Sequence, residues 1–431
     1  MTHPSDPDTT LATLPNGVRV VTLSLPHLHT AAVSVFVRSG SQHESSAQNG
    51  ISHVVEHMVF KGTHERDCQR INLDAERLGA EVDAHTDKDH SAFHMRGLAR
   101  DAGSFVRMLG DIVCNGSFPE AELERERQVL LHEFAEDEDD GLASAFKLFD
   151  KACFGDDHAL AQPVIGTRRN IERFTRSALQ EYVQRQYSGA NVVVGVAGPV
   201  EPEQVLRDAH AAFGALPRGS ENVVAAPAWV GGIKSRRLAG YGQTHVVLGF
   251  PIPALSGDHA ASVVSAAVFG EGMSSPLMDE IRERRGLVYY AACSADVMEL
   301  CGQFVVEAST APKNVDEFFC EVMRLLLAHA RDGVGAVGLE RAKNQLAVRS
   351  WQDMERPTRR LEAAALDLFV LGRVRSRIER MERLQAVTAA DVRQAFERML
   401  AAGGAVALAG RVGNGVVERA RATVLTPGLA S

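Results

Sequence analysis

Three costly polar side chains fall within five residues of an otherwise apolar segment, in the stretch GISHVVEHMVFKGT over 50–63. His53 and His57 are four positions apart, so on a helix they lie on one face, one above the other. Glu56 lies beside that face. Two imidazoles in this arrangement can bind one ion, and zinc suits imidazole nitrogen. The H-x-x-E-H pattern therefore indicates a metal site, although two surface histidines and a helical glutamate remain the alternative.

A catalytic zinc site keeps three protein ligands and one water, so a third ligand is required. The helical segment PEAELERERQVLLHEFAEDEDD offers Glu126 and Glu133, which are seven positions apart and share one face. One carboxylate is expected to reach the metal while the other orients a histidine. Glu56 is then the general base that accepts a proton from the activated water, which is the machinery of peptide hydrolysis.

The surrounding segments predict the elements that must position these residues. The stretch TLATLPNGVRVVTLS places Asn16-Gly17 between two β-prone runs, which is typical of a hairpin. CQRINLDAERLG predicts a helix that ends at Gly79, and the segment over 80–98 predicts two strands around a polar turn. Strands and helices come in mixed order, so we expect an α+β fold with largely antiparallel sheets and packed helices.

The chain of 431 residues is too long for one ordinary core. Gly, Pro and Ser concentrate near the middle of the chain and predict a linker there. We therefore expect an N-terminal zinc-binding domain over 1–218, a linker over 219–236, and a C-terminal domain over 237–431.

The two halves of the sequence are similar at one helix. HVVEHMVF over 53–60 can be laid on SVVSAAVF over 262–269, and the packing residues repeat. The three polar residues of the first copy become Ser262, Ser265 and Ala266 in the second. One fold used twice is the expectation, with the polar triad kept only in the first copy.

Composition excludes several other classes of function. The net charge is -9 and no cationic stripe stands out, so a nucleic-acid partner is not expected. No apolar run approaches the roughly 20 residues that cross a bilayer, and the N-terminus does not resemble a signal peptide. The six cysteines form no CxxC pair and are expected to be reduced. These features predict a cytoplasmic protein without a membrane partner.

With these motifs in place, the sequence resembles the pitrilysin/insulinase-type zinc metallopeptidases, and most closely the short-chain branch that includes mitochondrial processing peptidase. That family has H-x-x-E-H followed by a ligand glutamate 76 or 77 residues after the second histidine, and 76 residues after His57 comes Glu133. The resemblance implies that His53, His57 and Glu133 bind one Zn²⁺ per chain. It also implies that Glu56 is the base and that Glu126 supports a ligand.

The resemblance also implies a place for the substrate. DAHT resembles the family's N-A-x-T edge strand, where an extended peptide adds through backbone hydrogen bonds. The corresponding residues are Asp83, Ala84, His85 and Thr86. Asp83 replaces the usual asparagine, which leaves the role of that side chain open.

The C-terminal half carries the family's R-x6-Y pair as Arg282 and Tyr289. Both side chains suit a scissile carbonyl that becomes an oxyanion. Two positions of the preceding glycine-rich segment depart from the family pattern, because Glu271 replaces a common glycine and Pro276 a common arginine. Without the family, Arg282 would be read as part of a solvated basic run.

Three further histidines, His85, His90 and His94, invite a second metal-site interpretation. Their mixed spacing across a polar turn argues against it.

The leading hypothesis is a zinc-dependent endopeptidase for peptides or unfolded segments. In the family, two such chains form a clamshell around a chamber, so a homodimer or a heterodimer with a zinc-free homologue is expected. Arg282 and Tyr289 are then expected to face the zinc of the other chain. The alternatives are a non-catalytic scaffold subunit of the same fold and a metal-dependent binding protein that cleaves nothing.

Overall fold

The computed structural model describes residues 6–425. Contacts divide the chain into two compact units, each assembled from three separate segments. Unit 1 contains the described residues up to Phe134 with Gln162–Val224 and Gln352–Arg377, and unit 2 contains Ala135–Ala161, Ala225–Trp351 and the described residues from Ile378 onward.

Strands form one sheet in each unit. In chain order they are β1 Thr9–Thr13, β2 Arg19–Ser24, β3 Thr30–Val37, β4 Glu81–Thr86, β5 Ser91–Leu98, β6 Val192–Gly198, β7 Gly232–Arg237, β8 Thr244–Ile252, β9 Val288–Val297, β10 Gly302–Thr310 and β11 Ala405–Gly410.

Helices account for most of the remaining regular structure. The α-helices are α1 Ile51–Val59, α2 Cys68–Arg77, α3 Ala102–Cys114, α4 Glu120–Asp139, α5 Gly141–Phe154, α6 Arg168–Arg173, α7 Arg176–Gln186, α8 Pro202–Phe213, α9 Ala260–Gly270, α10 Val315–Asp332, α11 Ala336–Met354, α12 Pro357–Leu371, α13 Arg377–Ala386, α14 Ala389–Ala402 and α15 Val416–Ala420. Two π-helical segments, Leu277–Arg284 and Arg421–Leu425, complete the set together with short 3₁₀ turns.

The sheet of unit 1 has six strands in the order β1-β2-β6-β3-β5-β4. Only the β2–β6 pair is parallel, and the other pairs are antiparallel. The expected hairpin at Asn16-Gly17 joins β1 to β2, and Gly17 has the positive φ of 95° that such a turn favours in glycine. Strand β4 ends the sheet, so one side of its backbone is not paired within it.

The sheet of unit 2 repeats this plan with five strands in the order β7-β11-β8-β10-β9. Its β7–β11 pair is parallel and the other pairs are antiparallel. The two sheets therefore match strand for strand from β2 and β7 to the edges β4 and β9. The expected α+β fold with two copies of one largely antiparallel plan is confirmed.

Successive side chains of a strand point to opposite faces of the sheet, and a layer of helices packs on each face. In β3, Val33 and Val35 pack with α1, α3 and other helices of unit 1, whereas Phe36 faces α12. In β8, Leu248 packs with α9, α10 and α14, whereas Val247 faces α5. The central strands of each sheet are thus buried on both faces.

Helices α5 and α12 make the compact units discontinuous along the chain. Helix α5 comes from the first half of the sequence but packs on the sheet of unit 2, and α12 comes from the second half but packs on the sheet of unit 1. The consecutive domains expected from the sequence, 1–218 and 237–431, differ from these units for that reason. The expected linker over 219–236 also runs into β7, which pairs with β11.

No helix within residues 6–425 combines the length and the apolar character that crossing a bilayer requires.

Candidate metal centre

Helix α1 carries the H-x-x-E-H motif and is anchored by a buried carboxylate from outside the helix. Gly50, at the helix start, has a φ of 96°, and its N–H donates to Glu44 Oε2 at 2.7 Å. The N–H of Ser52 donates to Glu44 Oε1 at 2.8 Å. Burial raises the pKa of Glu44 to about 7, against the hydrogen bonds that lower it. Glu44 therefore satisfies donors that the first turn leaves open and fixes the direction of the helix.

The two histidines of α1 meet Glu133 of α4. Glu133 Oε2 lies 3.8 Å from His53 Nε2 and 3.6 Å from His57 Nε2. The imidazole rings lie edge to face with centroids 4.7 Å apart. Burial, with a further contribution from His57, lowers the pKa of His53 to about 4. His53 is therefore neutral near pH 7, which is the form that can bind a metal ion.

Glu126 of α4 supports the second histidine. Its Oε1 lies 2.9 Å from His57 Nδ1, and its Oε2 lies 2.6 Å from the ammonium of Lys61. Burial raises the pKa of Glu126, but the bonds to Lys61 and His57 more than offset this effect and lower it overall. An ionised Glu126 accepts the Nδ1–H of His57 and so directs the Nε2 lone pair of His57 toward Glu133.

Glu56 is held beside this cluster by the edge strand. Thr86 Oγ1 of β4 donates to Glu56 Oε2 at 2.7 Å. Burial raises the pKa of Glu56, although the Thr86 hydrogen bond and His57 oppose this effect. A carboxylate with a raised pKa is a better proton acceptor near neutral pH.

The donor set fits zinc. Ligand atoms about 2.0–2.2 Å from a tetrahedral ion lie about 3.3–3.6 Å from one another. The distances of 3.6 and 3.8 Å between Glu133 and the two imidazoles are close to this spacing and too long for good hydrogen bonds. The side chain of Glu133 is 38% exposed, so an ion can reach the cluster from solvent.

A cavity of about 340 Å³ lies next to the cluster. Its walls include Glu56 and His57, together with apolar residues of α2 and β4 such as Ile71 and Val82. The sequence-predicted residues Asp83, Ala84, His85 and Thr86 all lie on the edge strand β4.

The two residues predicted from the C-terminal half lie in unit 2. Arg282 belongs to the π-helical segment, and Tyr289 belongs to the edge strand β9; both are exposed. In the glycine-rich segment, Glu271 pairs with Arg349, and Pro276 directly precedes the π-helical segment. The two residues that depart from the family pattern thus lie in an ion pair and at the start of the π-helical segment.

Two residues of the centre were not singled out from the sequence. Lys61 was visible only as part of the motif that follows α1, and nothing in its spacing points to Glu126. Glu44 precedes α1 by several residues and lacks the position of an ordinary N-cap.

The chain combines two copies of one α+β plan with a His-His-Glu set and a neighbouring glutamate. Residues 19–168 match the family model described as insulinase (peptidase family M16), and residues 173–346 match the one described as peptidase M16 inactive domain. The chain belongs to the M16 peptidase family.

Full-length relatives support this assignment. An uncharacterized zinc protease of Mycobacterium bovis is 32% identical over 412 residues, which cover 92% of this chain and 93% of that protein. An uncharacterized zinc protease of Rickettsia bellii is 28% identical over 399 residues, which cover 92% of this chain and 96% of that protein. The crystal structure of a protease from Helicobacter pylori has the same fold, with a TM-score of 0.86, 19% identity, and coverage of 94% of this chain and 100% of that one.

Proposed function

We propose that this protein is a zinc-dependent endopeptidase that hydrolyses peptides or unfolded polypeptide segments. The observation that carries the proposal is that Glu133, which is remote in sequence, converges on His53 and His57, with Glu56 held beside them by Thr86. A scaffold subunit has no need for this set, since buried polar groups stabilise a fold only when they are fully partnered.

A zinc ion held by His53, His57 and Glu133 would supply Lewis acidity, which would make a water molecule more acidic and polarise a peptide carbonyl. Glu56 then accepts a proton from that water while the water oxygen bonds to the carbonyl carbon. As the carbon–nitrogen bond breaks, Glu56 returns the proton to the departing amine. The hydrogen bond from Thr86 restricts the orientation of the Glu56 carboxylate beside the cluster.

The edge strand β4 suits an extended substrate. Its outer side offers backbone donors and acceptors, so a peptide can add there as a further strand. Residues Asp83–Thr86 run along this edge, and Thr86 ties the strand to the base. Addition at this edge requires an extended segment, which peptides and unfolded polypeptides adopt readily.

The proposal includes a dimer of half clamshells that encloses the substrate. Arg282 and Tyr289 are exposed and carry donors that can hydrogen-bond a carbonyl oxygen as negative charge develops on it. They are proposed to serve the site of a partner chain, which is either identical or a homologue without zinc.

The test uses Glu56→Gln, which removes the base but keeps all three ligands. We expect full zinc content by metal analysis and a loss of peptide hydrolysis of roughly 10²–10⁴-fold. Wild-type hydrolysis should also stop on treatment with a chelator. Glu65→Gln is the matched control, because Glu65 is exposed and makes no contact with the centre.

Wild-type protein that binds zinc but cleaves no peptide, alone or with a homologous chain, would favour the scaffold or binding-protein alternative. Normal hydrolysis by Glu56→Gln would remove Glu56 from the mechanism.

A further inference from the structure

A second cluster of donors lies on the opposite face of the same sheet. Successive residues of β4 point to opposite faces, so Thr86 reaches Glu56 on one side while His85 points to the other. His85 pairs in register with Ala92, which packs against α12. All of these residues, and Glu362 of α12, lie within unit 1.

Three donor atoms form a tight triangle there. His85 Nε2 lies 3.4 Å from His90 Nε2 and 3.7 Å from Glu362 Oε1, and His90 Nε2 lies 3.9 Å from the same oxygen. These edges are longer than good hydrogen bonds. They match the spacing of about 3.3–3.6 Å expected for ligands of one tetrahedral ion nearly as well as the His53–His57–Glu133 cluster does.

Each of two donors in the triangle is oriented by a second group. Asp89 Oδ1 accepts from His90 Nδ1 at 2.7 Å, so the Nε2 atom of His90 is left with its lone pair toward the triangle. Arg359 donates to Glu362 Oε2 at 3.0 Å and leaves Oε1 toward the histidines. The pair His90–Asp89 has the same arrangement as His57–Glu126 in the first centre.

The surroundings favour a cation and give it access. Asp89, Asp87 and Glu362 surround His90 with negative charge. A cavity of about 350 Å³ opens beside the cluster and is lined by His85 and Glu362, among others. Asp87 is exposed in the turn between β4 and β5, and its carboxylate lies near enough to complete a fourth position.

We propose that His85, His90 and Glu362 form a second site for a divalent transition-metal ion of the zinc type, with Asp87 or water as the fourth ligand. Two imidazoles and one carboxylate are a donor set that zinc and cobalt both accept. The site does not depend on the proposed peptidase activity.

In the sequence, the irregular spacing of the histidines disfavours a second metal site. The fold nevertheless brings the donors together in two ways. The hairpin between β4 and β5 folds His90 back onto His85, and the third donor comes from α12, which is remote in sequence. An ion there would fasten the edge strand β4 to α12.

Metal-stripped full-length protein titrated with Co²⁺ or Zn²⁺ tests the proposal. We expect wild type to hold two ions per chain by mass spectrometry of the metal content, with a visible absorption band for each tetrahedral Co²⁺. Glu362→Gln should weaken binding of the second ion at least tenfold and leave the first ion in place. Glu133→Ala should lose the first ion and keep the second.

Glu81→Gln is the matched control, because Glu81 lies on the same face of β4 but pairs with Arg96 outside the triangle. It should still hold two ions. His85→Gln provides an independent variant should Glu362→Gln fail to fold. The proposal is overturned if wild type binds only one ion per chain. It is also overturned if His85→Gln and Glu362→Gln both bind two ions as tightly as wild type does, and either result would leave only a contact between two histidines.

Discussion

Helices α1 and α9 follow corresponding strands, β3 and β8, yet only α1 carries metal donors. In α9 the matching positions are Ser262, Ser265 and Ala266, and all three are buried. Ser265 Oγ donates to the carbonyl of Ala261 in its own helix at 2.7 Å. The polar triad of α1 is therefore not a requirement of the fold.

The helices that pack on α1 and α9 also differ, because only the helix beside α1 supplies carboxylates. Helix α4 gives α1 two carboxylates, Glu126 and Glu133. Helix α11, which holds the same place in the order of unit 2, gives α9 an arginine instead. Arg341 donates to the carbonyl of Val268 at 2.7 Å and also to the carbonyl of Glu271. One helix pair brings imidazoles and carboxylates together, whereas in the other pair an arginine binds backbone carbonyls.

The largest expected effect comes from the ligand that α4 supplies. Glu133→Ala should weaken zinc binding at the first centre by roughly a hundredfold or more, because two imidazoles alone leave the ion undercoordinated. Competition with a zinc chelator measures the change. Glu120→Ala on the same helix is the control and should bind zinc normally; equal loss in both variants would mean that the helix, not the ligand, had been disturbed.

A smaller effect is expected from the residue that orients His57. Glu126→Gln should reduce zinc affinity by roughly 10–100-fold, since the amide orients the imidazole less firmly than a carboxylate does. The same competition measurement applies. An unchanged zinc affinity would show that packing alone fixes the orientation of His57. Glu133 would then be the one carboxylate of α4 that distinguishes it from α11 in metal binding.

The smallest effect is expected in unit 2. Ser265→Ala should leave the zinc content unchanged and shift the free energy of unfolding by less than about 1 kcal/mol, because its hydroxyl bonds only within its own helix. Metal analysis and denaturant unfolding measure the two quantities. Loss of zinc in this variant would mean that α9 contributes to a metal site after all.

Local patterns carried much of the prediction from the sequence. The turn at Asn16-Gly17, the helical spacing of His53 and His57, and the two strands over 80–98 all depend on neighbouring residues, and the structure contains each of them. The position of Glu133 came from a count along a family pattern. The structure brings it to the two histidines.

Contacts between segments remote in sequence could not be predicted from the sequence alone. Glu362 meets His85 only because α12 crosses to the sheet of unit 1, and no periodicity in either segment records that crossing. Glu44 acts as a cap from outside the helix that it anchors, so the usual N-cap position does not reveal it. The exchange of α5 and α12, in which each helix packs on the sheet formed mainly by the other half of the chain, is likewise not visible in the composition near the midpoint of the chain.

That exchange of α5 and α12 constrains how the chain is made. Phe36 and the apolar side chains beside it in unit 1 stay uncovered until residues 357–371 have left the ribosome. By then, most of unit 2 has already been synthesised. One apolar face of the unit 1 sheet therefore lacks its cover until a helix far along the chain has been made, and uncovered apolar surface favours aggregation. A fragment cut at residue 218 would lack that cover permanently.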